Sequence, residues 1–267
     1  MLSLMPDLTP LQTEGLAEKL LWEKPERRDQ AGSILIFGGA SLKLKTVDLI
    51  YKTVQKLGAR PTVLVPESLA VSFKLKAPVL QPIRFDNYFG LTEQGQKTLA
   101  TELALADALV LADSGKNSST TKHLAALTSF SFKPIVITEG SLNLILEYHY
   151  ELLQNPNITI ILNSAALQKF QRIIPQKLEF PISLSSGAAA RLNSLLELQS
   201  IYQSRVILFE DNLILAIDSA SSQYLLQKTK LNLEQFSASL VCWQVWAPKA
   251  KPLQQVFMAS SQTQNQT

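Results

Sequence analysis

The chain has 267 residues, of which 46% are hydrophobic and 18% charged, and its net charge is +3. So much apolar content with so little net charge excludes an intrinsically disordered chain, and the weak positive charge does not indicate nucleic-acid binding. A single cysteine and two histidines exclude a disulfide framework and zinc or other metal centres built on cysteine or histidine clusters. Prolines interrupt the N-terminal segment where a signal peptide needs an apolar core, and no run reaches the ~20 apolar residues of a membrane span. We therefore expect a reduced, cytoplasmic protein that binds neither membranes nor nucleic acid.

The first predicted element is an amphipathic helix over residues 9–24, within an N-terminal helical extension of about 30 residues. Pro10 would occupy its first position, where a missing N–H costs nothing. Leu16, Leu20 and Leu21 would lie on one face. We expect that face to pack on the rest of the chain.

A strand–helix–strand unit follows. The apolar run 33–37 predicts a strand that ends at Gly38-Gly39, and the run 61–65 predicts a second strand. Between them, a helical period of apolar residues ends at Gly58. Because about 33 residues suffice for the whole βαβ unit, we expect the sheet to begin parallel.

The centre of the chain alternates helices with unbroken apolar runs, which is typical of parallel strands covered on both faces. Residues 71–90 are irregular, and either an edge strand or a long connection explains them. The predicted helices are 92–106, 117–130 and 141–154, and the predicted strands are 108–111, 134–138 and 158–162.

The last third predicts a different arrangement. Two apolar runs, 206–209 and 213–217, are separated by three polar residues and indicate an antiparallel hairpin without a turn glycine. The other predicted elements are helices over 187–203, 233–247 and 252–259 and a disordered tail over 261–267. The sequence thus predicts one α/β domain over 1–260, a three-layer, doubly wound, mostly parallel sheet with a late antiparallel hairpin.

Scarce glycine limits where a phosphate could bind. Only ten glycines are present, against a usual ~7% of residues, and only Gly187 follows Gly140. Phosphate-cradling loops need glycine because backbone N–H groups must approach the anion with no Cβ in the way. Any such cradle must therefore lie in the first half of the chain.

The first two candidate segments follow predicted strands, since ligands bind outside the carboxyl ends of parallel strands. Gly38, Gly39 and Ser41 open a helix and could hold an anion, although a tight turn explains the glycines equally well. Asp113, Ser114, Gly115 and Lys116 form the richest polar turn. That turn could contact a ligand, or it could cap the next helix while Asp113 pairs with Lys116 at the surface.

A third segment follows the strand that ends at residue 138. Glu139 could act as a general base if it is partly buried, or it could be a solvated loop carboxylate. Asn143 would lie in the first turn of the next helix and face the same crevice. Neither histidine has a second ligand nearby, so His123 and His149 are expected to be packed or surface side chains.

Four stretches of sequence carry a resemblance to a known family. They are GSILIFGGA with GARPTVLVPES, ADALVLADSGKNSSTTKHLAAL, KPIVITEGSLNLI and NITIILNSAALQKF. With the late hairpin and the terminal helices, they make residues 32–259 resemble the ribokinase-like superfamily and, within it, the NAD(P)H-hydrate dehydratases. The resemblance implies an enzyme that uses ADP or ATP to dehydrate hydrated nicotinamide cofactors.

The chain departs from that family's motifs. In the aspartate-rich motif TEGS occupies 138–141, and the family's histidine and glutamate are replaced within 163–167. In the family, a Gly-Gly-Thr/Ser-Gly-Asp turn cradles phosphate and supplies the acid or base. Here LNLEQFSAS takes its place at the predicted helix near Leu233, with neither glycine nor aspartate, and Glu234 would repel a phosphate.

Several functional hypotheses remain open. The chain could be a catalytically degenerate homologue that keeps the scaffold and binds a small molecule, a nucleotide or a protein. Alternatively, it could be an active dehydratase with Glu139 or Asp113 as acid or base, and ADP or ATP would be its cofactor if the family activity survives. A small-molecule kinase, or a subunit that self-associates through a helix face bearing Trp243 and Trp246, is the remaining interpretation.

Overall fold

The computed structural model describes residues 8–41, 44–70, 80–86, 90–174, 178–183 and 186–261. Within them, ten strands form one sheet in the order β1-β10-β9-β8-β7-β6-β5-β2-β3-β4. The strands are β1 (Thr9–Pro10), β2 (Ser33–Phe37), β3 (Arg60–Pro66), β4 (Leu80–Ile83), β5 (Ala108–Leu111), β6 (Ile135–Thr138), β7 (Ile158–Leu162), β8 (Arg205–Glu210), β9 (Leu213–Asp218) and β10 (Gln223–Lys228). Only β9 is antiparallel to its neighbours.

Helices cover both faces of this sheet. They are α1 (Leu16–Leu21), α2 (Leu44–Leu57), α3 (Glu67–Ala70), α4 (Glu93–Leu105), α5 (Ser118–Ser129), α6 (Leu142–Leu153), α7 (Ser164–Gln171), α8 (Ala188–Ile201), α9 (Leu233–Trp246) and α10 (Pro252–Ser261). One buried apolar cluster joins α2, α9 and α10 to the sheet, and a second joins α4 to α8 to the opposite face. This is the predicted three-layer, doubly wound α/β architecture. None of the described helices combines the length and apolar character needed to cross a membrane.

The chain reverses its direction of winding at β2. It builds β3 and β4 on one side of β2 and then returns to place β5 on the other side. At such a switch point the loops after two adjacent parallel strands diverge, which leaves room for a ligand at the carboxyl edge. The loops after β2 and β5 meet here, and both hold predicted site residues.

The late hairpin is confirmed, and its turn shows why glycine is dispensable. β8 and β9 pair antiparallel up to Glu210 opposite Leu213. The turn residues Asp211 and Asn212 have φ values of 49° and 61°. Aspartate and asparagine tolerate this left-handed conformation better than other residues with a side chain, because their short polar groups bond locally. The sequence did not predict β10, which extends the sheet beyond β9.

The predicted N-terminal helix over 9–24 is wrong in its first half. The backbone N–H of Thr9 donates to Ser222 and that of Leu11 to Tyr224, so this segment forms a parallel edge strand on β10. The helix begins only after Gly15, and Leu21 is exposed rather than packed.

The irregular segment contains the predicted edge strand at its centre. β4 lies beside β3 at the end of the sheet, while residues 71–79 and 87–89 lie outside the described part. The predicted tail after Ser261 also lies outside it. The short helices α3 and α7 were not predicted, whereas the other central and C-terminal helices end within a few residues of their predicted bounds.

Apolar side chains at helical spacing along α9 form part of the core. Phe236, Leu240, Trp243 and Ala247 are all buried within the chain. Self-association through Trp243 and Trp246 is therefore contradicted, because both indoles are already covered, and Trp246 Nε1 donates to Ala31 O at 2.9 Å. Burial also raises the pKa of the neighbouring Cys242 thiol, which makes this cysteine unreactive in the folded chain.

Candidate functional site

A buried carboxylate joins the two loops at the switch point. Asp113 Oδ2 accepts the backbone N–H of Ser41 at 2.7 Å, while Oδ1 accepts the Ser41 hydroxyl at 2.8 Å and the Gly115 N–H at 3.2 Å. The Asp113 side chain is only 1% exposed. The suggested surface pair with Lys116 is therefore wrong, since Asp113 points inward and holds the loop after β2 against its own.

The same two loops also touch through their backbones. Gly115 has φ +72° and Gly39 has φ +83°, a conformation that side chains rarely adopt. A Cβ on Gly115 would lie 2.9 Å from the Cβ of Ala40. Glycine at this position thus allows both a left-handed turn and direct packing of the loop after β5 on the loop after β2.

Hydroxyl groups fasten the carboxyl end of β6 to that of β5. Thr138 Oγ1 donates to Ala112 O at 2.9 Å, and Ser141 Oγ donates to Leu111 O at 3.2 Å. Ser141 Oγ also accepts the backbone N–H of Ser114 at 3.0 Å. Gly140 approaches so closely that an added Cβ would lie 2.1 Å from Ala112 O. The carboxyl edge from β2 to β6 is therefore one connected set of loops.

The structure brings the eight predicted site residues to this single edge, in very different environments. Those that are buried are Gly38, Gly39, Asp113, Ser114 and Gly115. Ser41 and Glu139 are exposed, and Asn143 is half-buried with its Nδ2 donating to Gly115 O at 3.3 Å. A bound molecule would therefore first meet Ser41, Glu139 and Asn143, and each binding or catalytic role stays a prediction.

Two parts of this edge carry charged side chains that were not among the predicted site residues. Lys116 is exposed beside the predicted residues and supplies a positive charge. Farther along, Arg191 Nη1 and Glu210 Oε2 form a half-buried ion pair at 2.9 Å, and the Ser164 hydroxyl donates to the same carboxylate. The position of Glu210 at the end of a strand was the available signal, but its arginine partner comes from a helix and follows no short motif.

The start of α9 lies at the same carboxyl edge, on the face of the sheet that α2, α9 and α10 cover. Trp246 at the far end of α9 contacts the segment before β2, so the helix begins at the carboxyl edge. Asn232 Oδ1 accepts the backbone N–H of Gln235 at 2.8 Å, and Gln235 Oε1 accepts the N–H of Asn232 at 3.1 Å. Glu234 is half-buried and accepts the Thr46 hydroxyl at 3.4 Å. Side chains of this chain therefore satisfy amides that would otherwise face an incoming anion.

Comparison with known proteins identifies the fold. No family model and no curated protein sequence matches this chain. A ribokinase-like superfamily protein from Enterococcus faecalis V583 aligns with a TM-score of 0.67 at 11% identity, over 96% of this chain and 85% of that one. YxkO of Bacillus subtilis, a member of the UPF0031 family, gives 0.62 at 12% identity over 94% and 85%. The pyridoxal kinase of Staphylococcus aureus, in complex with AMP-PCP and pyridoxal, gives 0.57 at 14% identity over 85% of each chain.

This chain has the ribokinase-like fold. The resemblance in sequence therefore holds at the level of architecture. Identities of 11% to 14% carry no statement about activity. What the ribokinase-like chain does must be argued from its own side chains.

The described residues of this chain do not include a set of side chains that could bind a metal ion. No three histidine, cysteine, aspartate or glutamate side chains among them are grouped closely enough to hold an ion. His149 instead packs against Tyr150, Phe170 and Tyr202, with ring centroids 4.5 to 6.4 Å apart. Its surroundings are those of a core aromatic side chain.

The cap of α9 makes a direct prediction. Replacing Asn232 with alanine is expected to lower the free energy of unfolding by ~1 kcal/mol, because the Gln235 N–H loses its acceptor. Urea denaturation of both proteins measures the difference. Replacing the exposed Lys230 is the control and should change stability by less than ~0.5 kcal/mol. Equal stability of the Asn232 variant and wild type would contradict this role for the cap.

Proposed function

We propose that this chain is a catalytically degenerate relative of the NAD(P)H-hydrate dehydratases, which retains at most the binding of a small molecule or a nucleotide. The observation that carries the proposal is the reciprocal cap between Asn232 and Gln235 at the start of α9. The resemblance places the family's phosphate cradle at this helix start. A cradle needs free amides and no Cβ; here the cap takes up the N–H groups of Asn232 and Gln235, and every residue of the segment carries a Cβ.

Charge strengthens the argument. Glu234 lies in the first turn of α9 and is half-buried. A second negative charge at ~4 Å would be repelled by ~1 kcal/mol in bulk water and by more in a drier site. A nucleotide phosphate at this helix start would therefore meet a carboxylate where the family's motif offers N–H groups.

The switch point supports the same proposal. Ser41 and Gly115 already donate three hydrogen bonds to Asp113, which leaves this carboxylate little capacity to act on a substrate. Ala40 packs against Gly115 where the two loops would otherwise diverge. Any ligand that remains would bind on the outer rim of this edge, formed by Ser41, Lys116 and Asn143.

Direct assays test the loss of activity. Purified protein is mixed with hydrated NADH and ADP or ATP, and recovery of NADH absorbance is followed; a second assay offers ATP and pyridoxal and measures phosphoryl transfer. We expect neither reaction above the rate without protein. Recovery of NADH at a rate typical of enzymes would overturn the proposal. Heating the protein with millimolar ADP or ATP tests binding separately, since a ligand at 100 times its Kd contributes ~2.7 kcal/mol of stability.

The alternative is an active dehydratase with substituted chemistry, and it rests on the position of Glu139 at the carboxyl edge, although this carboxylate is exposed rather than partly buried as expected of a general base. This carboxylate follows β6 directly and is open to solvent beside the switch point. As acid or base it would exchange a proton with the substrate, with Asp113 as the second catalytic carboxylate.

Substitution of Glu139 separates the two functions. If the alternative holds, Glu139→Gln abolishes NADH recovery and changes the free energy of unfolding by less than ~1 kcal/mol, because the side chain is exposed. The degenerate protein that we propose shows no recovery before or after this change. Loss of wild-type recovery on substitution, with stability retained, would establish the alternative.

A further inference from the structure

A cavity of about 500 Å³ lies at the amino-terminal edge of the sheet, opposite the edge described above. Its walls come from the segments that enter β2 and β3 and from the ends of α2 and α4. Its lining includes Arg28, Ser33, Ala59, Arg60, Pro61 and Leu105. This volume is in the range of small-molecule sites.

Two arginines, Arg28 and Arg60, line this cavity without an ion-pair partner, and both are exposed. Within the described residues, neither Arg28 nor Arg60 forms a side-chain hydrogen bond or a salt bridge. Their neighbour Arg27, by contrast, pairs with Asp29 at 2.8 Å. No lining residue is acidic; Asp107 lies beside the cavity, and its Oδ2 accepts the N–H and hydroxyl of Ser33 at 2.8 and 2.9 Å. Two positive charges therefore face one cavity.

The backbone on which the two arginines are mounted is well fixed. Ser33 and Arg60 are paired in the parallel ladder of β2 and β3, and the Arg60 N–H donates to Gly32 O at 2.9 Å. Arg28 lies in a turn where its carbonyl accepts the Ala31 N–H at 3.3 Å. The Ala31 carbonyl in turn accepts the Trp246 indole. The geometry of the two attachment points is thus set before any ligand arrives.

The remaining lining adds an apolar wall. Leu105 is 72% exposed at the end of α4, and Pro61 and Ala59 also line the cavity. An isolated inorganic ion would leave this wall in water. A molecule that carries both an anionic group and an apolar group would use both parts of the cavity.

We infer that this cavity is a binding site for a small phosphate monoester with an apolar substituent. A monoester carries a charge of about −1.5 to −2 at neutral pH. This charge balances two guanidinium groups better than the single negative charge of a carboxylate ligand would. The planar guanidinium donates two parallel hydrogen bonds to phosphate oxygens, which gives direction as well as charge. The inference is independent of the proposed function, because the site lies at the other edge of the sheet.

Titration calorimetry with phenyl phosphate tests the site in the full-length chain. We expect phenyl phosphate to bind at least about tenfold more tightly than inorganic phosphate or benzoate, a difference of ~1.4 kcal/mol. The double variant R28A/R60A should weaken phenyl phosphate binding by about tenfold or more, and higher salt should weaken wild-type binding. Leu105→Ser should reduce the advantage of phenyl phosphate over inorganic phosphate.

Arg27→Ala is the matched control, since this arginine is adjacent to Arg28 but pairs with Asp29. It should bind phenyl phosphate as wild type does. Circular dichroism and urea unfolding confirm that each variant is folded before it is titrated. Absence of wild-type binding, binding by R28A/R60A within twofold of wild type, or equal affinity for inorganic phosphate or benzoate would overturn the inference.

Discussion

Gly140→Ala is expected to lower the free energy of unfolding by at least ~3 kcal/mol, and to leave little folded protein if the chain is only marginally stable. An alanine Cβ would lie 2.1 Å from the carbonyl oxygen of Ala112. Backbone, not a movable side chain, occupies that space. The loop after β6 would have to move away from β5 by about an ångström, which separates the hydroxyl contacts of Thr138 and Ser141.

The cause of this loss is steric. Gly140 does not adopt the left-handed conformation that disfavours alanine, so the backbone angles themselves carry no penalty. Gly187 is the matched control, since a Cβ there meets open space and its φ of −70° suits alanine. Urea denaturation should place Gly187→Ala within ~1 kcal/mol of wild type. A Gly140→Ala protein as stable as the Gly187 variant would show that the two loops are not packed as described.

The sequence predicted the architecture because the central strands are buried on both faces. A strand such as Ala108–Leu111 has every residue fully covered, and this leaves an uninterrupted apolar run between helical periods. The edge strands leave no such trace. β10 is partly exposed along most of its length, and β1 has two exposed residues that join the sheet through backbone hydrogen bonds alone. Backbone pairing does not depend on side-chain periodicity, so these strands escaped prediction.

The candidate site was predictable in position but not in arrangement. Parallel strands end at one edge, and that rule alone collected residues from Gly38 to Asn143. The inward orientation of Asp113 depends on Ser41, which lies 72 positions earlier in the chain. Likewise, the pairing of Arg191 with Glu210 joins a helix to a strand end. Partners so distant in sequence are set by tertiary packing, and no local motif contains them.

Asp113→Asn is expected to lower the free energy of unfolding by ~2 to 4 kcal/mol, because the buried carboxylate accepts hydrogen bonds on both oxygens. An asparagine fits in two orientations, and each sets its NH₂ group against a backbone N–H. With the NH₂ at Oδ2 the opposed group is the Ser41 N–H, and at Oδ1 it is the Gly115 N–H. The Ser41 hydroxyl can reverse its role, but the two amides cannot.

Comparison of Ser41→Ala with Asp113→Asn separates the role of the Asp113 carboxylate in the loop junction from a role in catalysis. It removes one hydroxyl donor and keeps the Ser41 N–H, so we expect a loss of only ~1 kcal/mol in urea denaturation. The double variant with Ser41→Ala and Asp113→Asn should lose less free energy of unfolding than the two single variants lose together, because both changes act on one hydrogen-bonded cluster. If Asp113→Asn were as stable as wild type but had lost an activity of the wild type, Asp113 would be a catalytic carboxylate rather than the group that holds the loops after β2 and β5 together. The junction of these loops would then rest on other contacts, such as the packing of Ala40 against Gly115 and of Gly38 against Ala112.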